Sequence, residues 1–227
     1  MLSIIEIYRS IQGESSFAGL PCTFVRLAGC NLRCTWCDSE YTFSGGKKIS
    51  SDEIVGEVQR LSPGGYVEIT GGEPMLQERE LVPLMERLLD LGYELLLETS
   101  GERPLAGVPK AVHKIVDVKC PDSGEGNSFH PDNLKTLSNN DEVKFVLASR
   151  ADYDFARDFT REHQLDRRVN SVIFSPAFRK DAIGARDASH CLIDPRLLAD
   201  WIVADGLNVR LGLQIHKFIW DPATKGV

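Results

Sequence analysis

Residues 66–97, YVEITGGEPMLQERELVPLMERLLDLGYELLL, contain one complete unit of the fold. Tyr66-Val67-Glu68-Ile69 reads as a short strand. Thr70-Gly71-Gly72-Glu73-Pro74 is a turn sequence. From Glu80 to Leu91, residues Leu81, Leu84, Met85, Leu88 and Leu89 recur at helical spacing, and Gly92 supplies a C′ stop. Glu94-Leu95-Leu96-Leu97 then reads as a second strand. A strand, a helix and a strand in this order give a parallel pair joined by a crossover.

The same alternation extends in both directions. Further strand runs are Thr23–Leu27, Lys114–Val118, Val143–Leu147, Ser171–Phe174 and Asn208–Leu211. Their near-continuous apolar character suits parallel strands covered on both faces. Ser50 followed by Glu53 is a capping-box signature opening a helix through Leu61. Asp194-Pro195 offers an N-cap and an N1 proline ahead of Leu197, Leu198, Trp201 and Ile202. Six such units and one extra strand are too few for an eight-unit barrel. The expectation is an α/β protein, a shortened, incomplete (β/α)6-type barrel. No repeat, low-complexity tract or linker divides the chain, so residues 1–227 are expected to form one domain.

Composition narrows the function. The 227 residues are 42% hydrophobic and 26% charged, an ordinary globular balance. With 33 acidic against 26 basic side chains the formal net charge is -7, which argues against a protein held by a phosphate backbone. No apolar run approaches the ~20 residues of a membrane span. The first residues, Met-Leu-Ser-Ile-Ile-Glu-Ile, lack the basic start of a signal peptide. A cytoplasmic protein with no nucleic-acid or membrane partner is expected.

The unusual residues fall where strands end. Cys30 to Cys37 follows the first parallel strand and Thr70–Pro74 the second. Glu98-Thr99-Ser100-Gly101 follows the third, Cys120-Pro121-Asp122 the fourth, and Ser175-Pro176 the sixth. In parallel α/β folds these ends converge on one mouth, where sites are built. Three of the six cysteines, Cys22, Cys120 and Cys191, stand alone and read as small buried hydrophobes. The spacing Cys30-x-x-x-Cys34-x-x-Cys37 puts three thiolates on one short loop. A structural zinc site takes four protein ligands, and here a second cysteine pair is missing. His113, His130, His163, His190 and His216 are scattered. A four-iron cube normally takes four cysteines, so three leave one iron open for a ligand. A zinc-binding interaction module and incidental thiols are the rival readings.

With Trp36 just before Cys37, this cysteine loop resembles the signature of the radical S-adenosylmethionine superfamily, and Gly71-Gly72-Glu73-Pro74 resembles its second motif. More narrowly, several segments together are similar to the 7-carboxy-7-deazaguanine synthase family: Ser10–Glu14, Phe24–Cys34, Trp36-Cys37-Asp38, Thr70–Pro74 with Gln77, and Gln214-x-His216-Lys217. The match runs in order along most of the chain and is densest from residue 8 to 77. Glycyl-radical-enzyme activases share the cysteine spacing and are the rival within the superfamily. They must admit a protein loop, whereas Gln12-Gly13-Glu14 with Arg26 favours a small acid.

The resemblance implies a homodimeric enzyme that converts 6-carboxy-5,6,7,8-tetrahydropterin to 7-carboxy-7-deazaguanine by ring contraction with loss of ammonia. It implies a 4Fe–4S cluster on Cys30, Cys34 and Cys37, S-adenosylmethionine, Mg2+, and an electron donor such as flavodoxin or ferredoxin. Contacts to S-adenosylmethionine are implied for Trp36, Cys37, Asp38, Gly72 and Glu73, then Cys120-Pro121-Asp122 and Ser175-Pro176-Ala177-Phe178. Pterin contacts are implied for Ile11, Gln12, Gly13, Glu14, Arg26, Thr70 and the terminal Val227. Arg26 offers a planar fork for a carboxylate. Ser39 takes the hydroxyl position implied to hold Mg2+, a hard ion that favours oxygen. The chain departs from the family pattern at Ser15-Ser16, at Ser100, and over 118–125.

Overall fold

Side chains along a strand point alternately to opposite faces, and here the two faces are unlike. The computed structural model describes residues 1–180, 187–221 and 224–227. Its strands are β1 (Leu2–Ile11), β2 (Pro21–Leu27), β3 (Lys47–Ile49), β4 (Tyr66–Gly71) and β5 (Glu94–Thr99), then β6 (His113–Asp117), β7 (Glu142–Leu147), β8 (Ser171–Pro176) and β9 (Arg210–Leu211). They form one open sheet in the order β3-β1-β2-β4-β5-β6-β7-β8-β9. From β2 to β9 every neighbouring pair is parallel. This is the expected incomplete barrel, and the seven runs read from the sequence are its parallel strands.

The sequence reading omitted β1 and β3. Both pair antiparallel, β1 with β2 and with β3. The mixed polarity of β1, with Ser3, Glu6 and Arg9 among its isoleucines, belongs to a strand at the antiparallel margin rather than to a doubly covered parallel one. Gln77 secures β1: its amide accepts from Ser3 N at 2.7 Å and donates to Ala28 O at 3.0 Å.

One face is covered by helices. Val25, Val67, Ile69, Leu95, Leu97 and Val116 pack there with Ile54, Leu81, Leu84, Met85 and Leu88. The helix Ser51–Leu61 opens with both halves of its capping box in place. The helix Glu78–Asp90 ends at Gly92, whose φ of 85° is the left-handed C′ conformation. The helix Pro195–Ala204 is capped by Asp194. The helix Arg150–Glu162, not singled out from sequence, buries Tyr153 and Ala156 behind an N-cap from Ser149.

The other face is only partly apolar, unlike the expected double coverage. Cys22, Phe24, Leu96 and Ile115 form a small cluster there, with Tyr8, Phe17 and Tyr66 against it. Phe17, on the loop after β1, meets the first residues of β4 and β6 edge-on, at 5.1 Å from Tyr66 and 4.8 Å from His113. It closes this face at the N-terminal strand ends. Two residues further along the strands, the same face carries Arg26, Thr70, Glu98 and Asp117.

Candidate active site

These polar positions line a cavity of about 260 Å3 at the C-terminal strand ends. Cys30, Cys34, Trp36, Cys37, Asp38 and Ser39 border it, as do Ile11, Gln12, Gly13, Glu14, Arg26, Thr70, Gly72, Phe178 and Val227. Segments more than 200 positions apart therefore share one cavity.

Close backbone contact sets the cysteine loop. A Cβ on Gly72 would stand 2.3 Å from Gly29 O and 2.7 Å from Cys30 Cβ, so only glycine fits. Glu73 N donates to Gly29 O at 2.8 Å. Arg33 ties the loop to itself by donating to Cys30 O and Leu32 O at 2.8 and 2.6 Å, and its guanidinium lies 4.1 Å from the Phe43 ring centroid. All three thiols are free and partly exposed. Burial raises Cys34 to about 11, against the pull of the Lys119 ammonium. Among the described residues no three His, Cys, Asp or Glu side chains gather as ligands of a single ion.

Several expected cofactor residues support the site instead of lining it. Glu73 is fully buried; its carboxylate accepts from Met75 N, Thr99 Oγ1, Ser100 N and Ser100 Oγ at 2.6–2.9 Å. It binds the second strand end to the third. Cys120, Pro121 and Asp122 form a turn that buttresses the cysteine loop, with Asp122 O accepting from Thr35 Oγ1 at 2.7 Å. Cys120 is buried, whereas Pro121 and Asp122 face solvent. Ser175, Pro176 and Ala177 are buried, and Ala177 N continues the ladder to Leu147 O.

On the opposite wall, Lys144 and Asp117 are the residues to which the sequence assigned no role. Lys144, 3% exposed, reaches Glu14 at 2.6 Å, forms a short contact with Glu98, and lies 3.9 Å from Asp117. Burial opposes its charge, but these three carboxylates push its pKa well up. Burial likewise opposes the charge on Glu14, yet Lys144, His216 and Lys217 bring it down to about 2. His216 is lowered, chiefly by burial. Gln214 donates to Glu14 at 2.8 Å, and Lys217 reaches Asp38 at 2.5 Å. His216 packs so closely on the loop after β1 that a Cβ on Gly13 would meet its Nδ1 at 2.2 Å. Arg26 is held at the wall by Glu6 at 2.8 Å and by the Tyr8 hydroxyl at 2.6 Å. The available signal was a charged residue within each of four predominantly apolar strand runs: Glu68, Glu98, Asp117 and Lys144.

A family model described as "Radical SAM superfamily" matches residues 25–123. A protein of Koribacter versatilis (strain Ellin345) named 7-carboxy-7-deazaguanine synthase is 70% identical over 226 residues, covering 100% of both chains. The chain belongs to the 7-carboxy-7-deazaguanine synthase family. The family member of Chlorobaculum tepidum is 42% identical over 230 residues, covering 100% of this chain and 97% of that one. Among solved structures, QueE from Escherichia coli superposes with a TM-score of 0.71 at 23% identity, covering 93% of each chain, and shares the fold. Radical S-adenosylmethionine membership implies a 4Fe–4S cluster and S-adenosylmethionine. The donor set suits this cluster: three free thiols on one loop at the cavity, beside a glycine pair that lets a ligand approach the backbone. No helix among the described residues is long and apolar enough to cross a membrane.

Proposed function

We propose that the chain catalyses the ring contraction of 6-carboxy-5,6,7,8-tetrahydropterin to 7-carboxy-7-deazaguanine. Ammonia is released, and the route leads to queuosine and related deazapurines. The conversion loses one ammonia and is redox-neutral overall, so a reductant such as flavodoxin or ferredoxin only primes it. The observation that carries this reading is the single cavity that joins the three-cysteine loop to Arg26 and Gln12–Glu14.

When bound, the cluster and S-adenosylmethionine supply a carbon radical that abstracts hydrogen. The protein's own task is to bind and orient. Cys30, Cys34 and Cys37 hold the cluster, and Trp36, Asp38, Gly72 and Phe178 flank the nucleoside. Glu73, Cys120–Asp122 and Ser175–Ala177 support that pocket from behind. Arg26, fixed by Glu6 and Tyr8, receives the pterin carboxylate. Ile11, Gln12, Gly13, Glu14 and Thr70 meet the pterin, with the Val227 carboxylate at the rim. Ser39, next to Asp38, supplies an oxygen to Mg2+, which needs few protein ligands. The enzyme works in the cytoplasm as a homodimer of single-domain chains, 1–227.

The test is anaerobic reconstitution followed by turnover with S-adenosylmethionine, Mg2+, a low-potential reductant and the carboxytetrahydropterin. Deazaguanine and ammonia should appear in equal amounts. An intact cluster that cleaves S-adenosylmethionine yet forms no deazaguanine would defeat the reading.

A further inference from the structure

Glu68 is a polar residue of the cavity that the functional reading leaves unused. It lines the cavity but is only 1% exposed. In register it stands between Phe24 of β2 and Leu96 of β5, one level below Arg26 and Thr70, where this face is apolar. An ionised carboxylate at that level would require a paired cation. Among the described residues no Lys, Arg or His forms an ion pair with it; Lys144 spends its contacts on Glu14, Glu98 and Asp117.

Two partners remain. Gln12 Nε2 donates to Glu68 Oε2 at 3.0 Å. The carboxyl of Glu98 is in hydrogen-bonding contact on the other side. Two carboxyl groups can share a hydrogen bond only with a proton between them. The Lys144 ammonium touches Glu98 and not Glu68, which places the negative charge beside the cation and the proton on Glu68. Burial, then Glu98, and further Glu14 all favour this neutral form, against the Gln12 amide. The other ionisable groups facing Glu68 are Tyr8 and Cys22, both kept protonated by burial.

We propose that Glu68 is a neutral carboxylic acid in the cavity floor, a positioning residue that fixes the Gln12 loop and orients the Glu98 carboxylate toward the N–H edge of the pterin. The proposal rests on the pterin reading above. One end of Glu68 accepts from the Gln12 amide, whose Oε1 then accepts from Glu14 N and Ser15 N at 2.8 and 3.0 Å. The loop from Gln12 to Ser15 is thereby locked. The other end donates to Glu98, leaving its remaining acceptor capacity for the amino and ring N–H groups of a pterin.

The test compares Glu68→Gln with Glu68→Met. Glutamine keeps an acceptor for Gln12 and a donor for Glu98, whereas methionine keeps only the volume. The readout is fluorescence titration of cluster-free protein with 6-carboxypterin across pH. Glu68→Gln should bind within about threefold of wild type, and Glu68→Met roughly tenfold or more weaker. Wild-type binding should fall at alkaline pH as Glu68 ionises, a limb that Glu68→Gln lacks. In reconstituted enzyme the methionine variant should raise KM for the pterin more than it lowers kcat. Methionine leaves the buried Gln12 amide without its acceptor, so it should lower thermal stability modestly, and binding is compared at a temperature where both variants are folded. A glutamine variant as weak as the methionine one, or a methionine variant that binds like wild type, overturns the proposal. Wild-type protein that binds no pterin overturns the substrate reading instead. Infrared difference spectra then decide Glu68 alone: wild type minus Glu68→Gln should show a protonated-carboxyl C=O stretch at neutral pH, and its absence overturns the assignment.

Discussion

The Lys144 ammonium on β7 lies 2.6 Å from the Glu14 carboxylate, across 130 positions of sequence. It also holds Glu98 and is nearly sealed from solvent, so it joins β5, β7 and the loop after β1 at one buried point. Removing one partner of such a network strands the others. Lys144→Met should destabilise the protein by about 3–5 kcal/mol. Urea unfolding measures this directly, and a loss below about 1 kcal/mol would show that the loop after β1 is held by other contacts.

The same pair sets an acid limb on stability. Glu14 titrates near 2 in the folded protein, below the ~4.3 of an unfolded Glu. Its contribution is therefore complete above roughly pH 4.3 and is lost as pH falls toward 2. Lys144 is shifted upward, so its contribution is present below the ordinary lysine range and is lost only at higher pH. The deficit of Lys144→Met should accordingly be flat through neutrality and shrink between about pH 4 and pH 2. A deficit that grows on acidification would contradict this charge assignment.

Gly72→Ala tests the contact between the second motif and the cysteine loop. The added methyl would overlap Gly29 O at 2.3 Å, forcing the two loops apart. Gly64→Ala is the control, because a Cβ there meets nothing within 4 Å. Both variants should fold. After anaerobic reconstitution Gly72→Ala should retain well under half the iron and sulfide of wild type, and Gly64→Ala the full amount. Equal cluster content in both would show that the cysteine loop does not depend on this approach.

The parallel strands were legible because each combines β-branched or leucine-rich runs with a turn signal, as in Tyr66–Pro74. The cysteine loop and the Gly71-Gly72 turn were legible because their chemistry is local in sequence. The far wall of the cavity was not. Glu98, Asp117 and Lys144 come from three strands, and nothing local in sequence couples them. Only the register, with Asp117 opposite Lys144 and Glu98 opposite Ile115, puts them on one face. Ser175-Pro176 and Cys120-Pro121-Asp122 lie at strand ends as expected, behind the residues that line the cavity.

Arg26→Lys separates charge from shape at the proposed carboxylate site. Glu6 and Tyr8 occupy Nε and Nη2, holding the guanidinium plane at the wall. A lysine keeps the charge but has no fork to satisfy both Glu6 and a ligand carboxylate. Losing one charge-assisted contact of about 1.5–3 kcal/mol should lower kcat/KM for the pterin roughly 10- to 150-fold. Cleavage of S-adenosylmethionine without substrate should be unchanged. A decarboxylated pterin should discriminate little between wild type and variant, and an equal loss on both compounds would place the carboxylate elsewhere.

Ser39 carries the proposed role in magnesium dependence. It lines the cavity two residues after Cys37, with its Oγ 3.8 Å from Cys37 Sγ. The neighbouring Asp38 carboxylate is held by Lys217 at 2.5 Å through one oxygen, and the Ser39 hydroxyl lies beside it at the cavity. Hard Mg2+ accepts such an oxygen but binds thiolate poorly, whereas softer ions accept sulfur. Ser39→Ala should raise the Mg2+ concentration giving half-maximal activity by roughly tenfold or more, with cluster content unchanged. Ser39→Cys should be equally insensitive to Mg2+ yet regain activity with Mn2+ or Cd2+. This switch separates direct coordination from a general loss of loop order, because a disordered loop would respond to no metal. Activation of Ser39→Ala by Mg2+ at the wild-type concentration would remove Ser39 from the metal site.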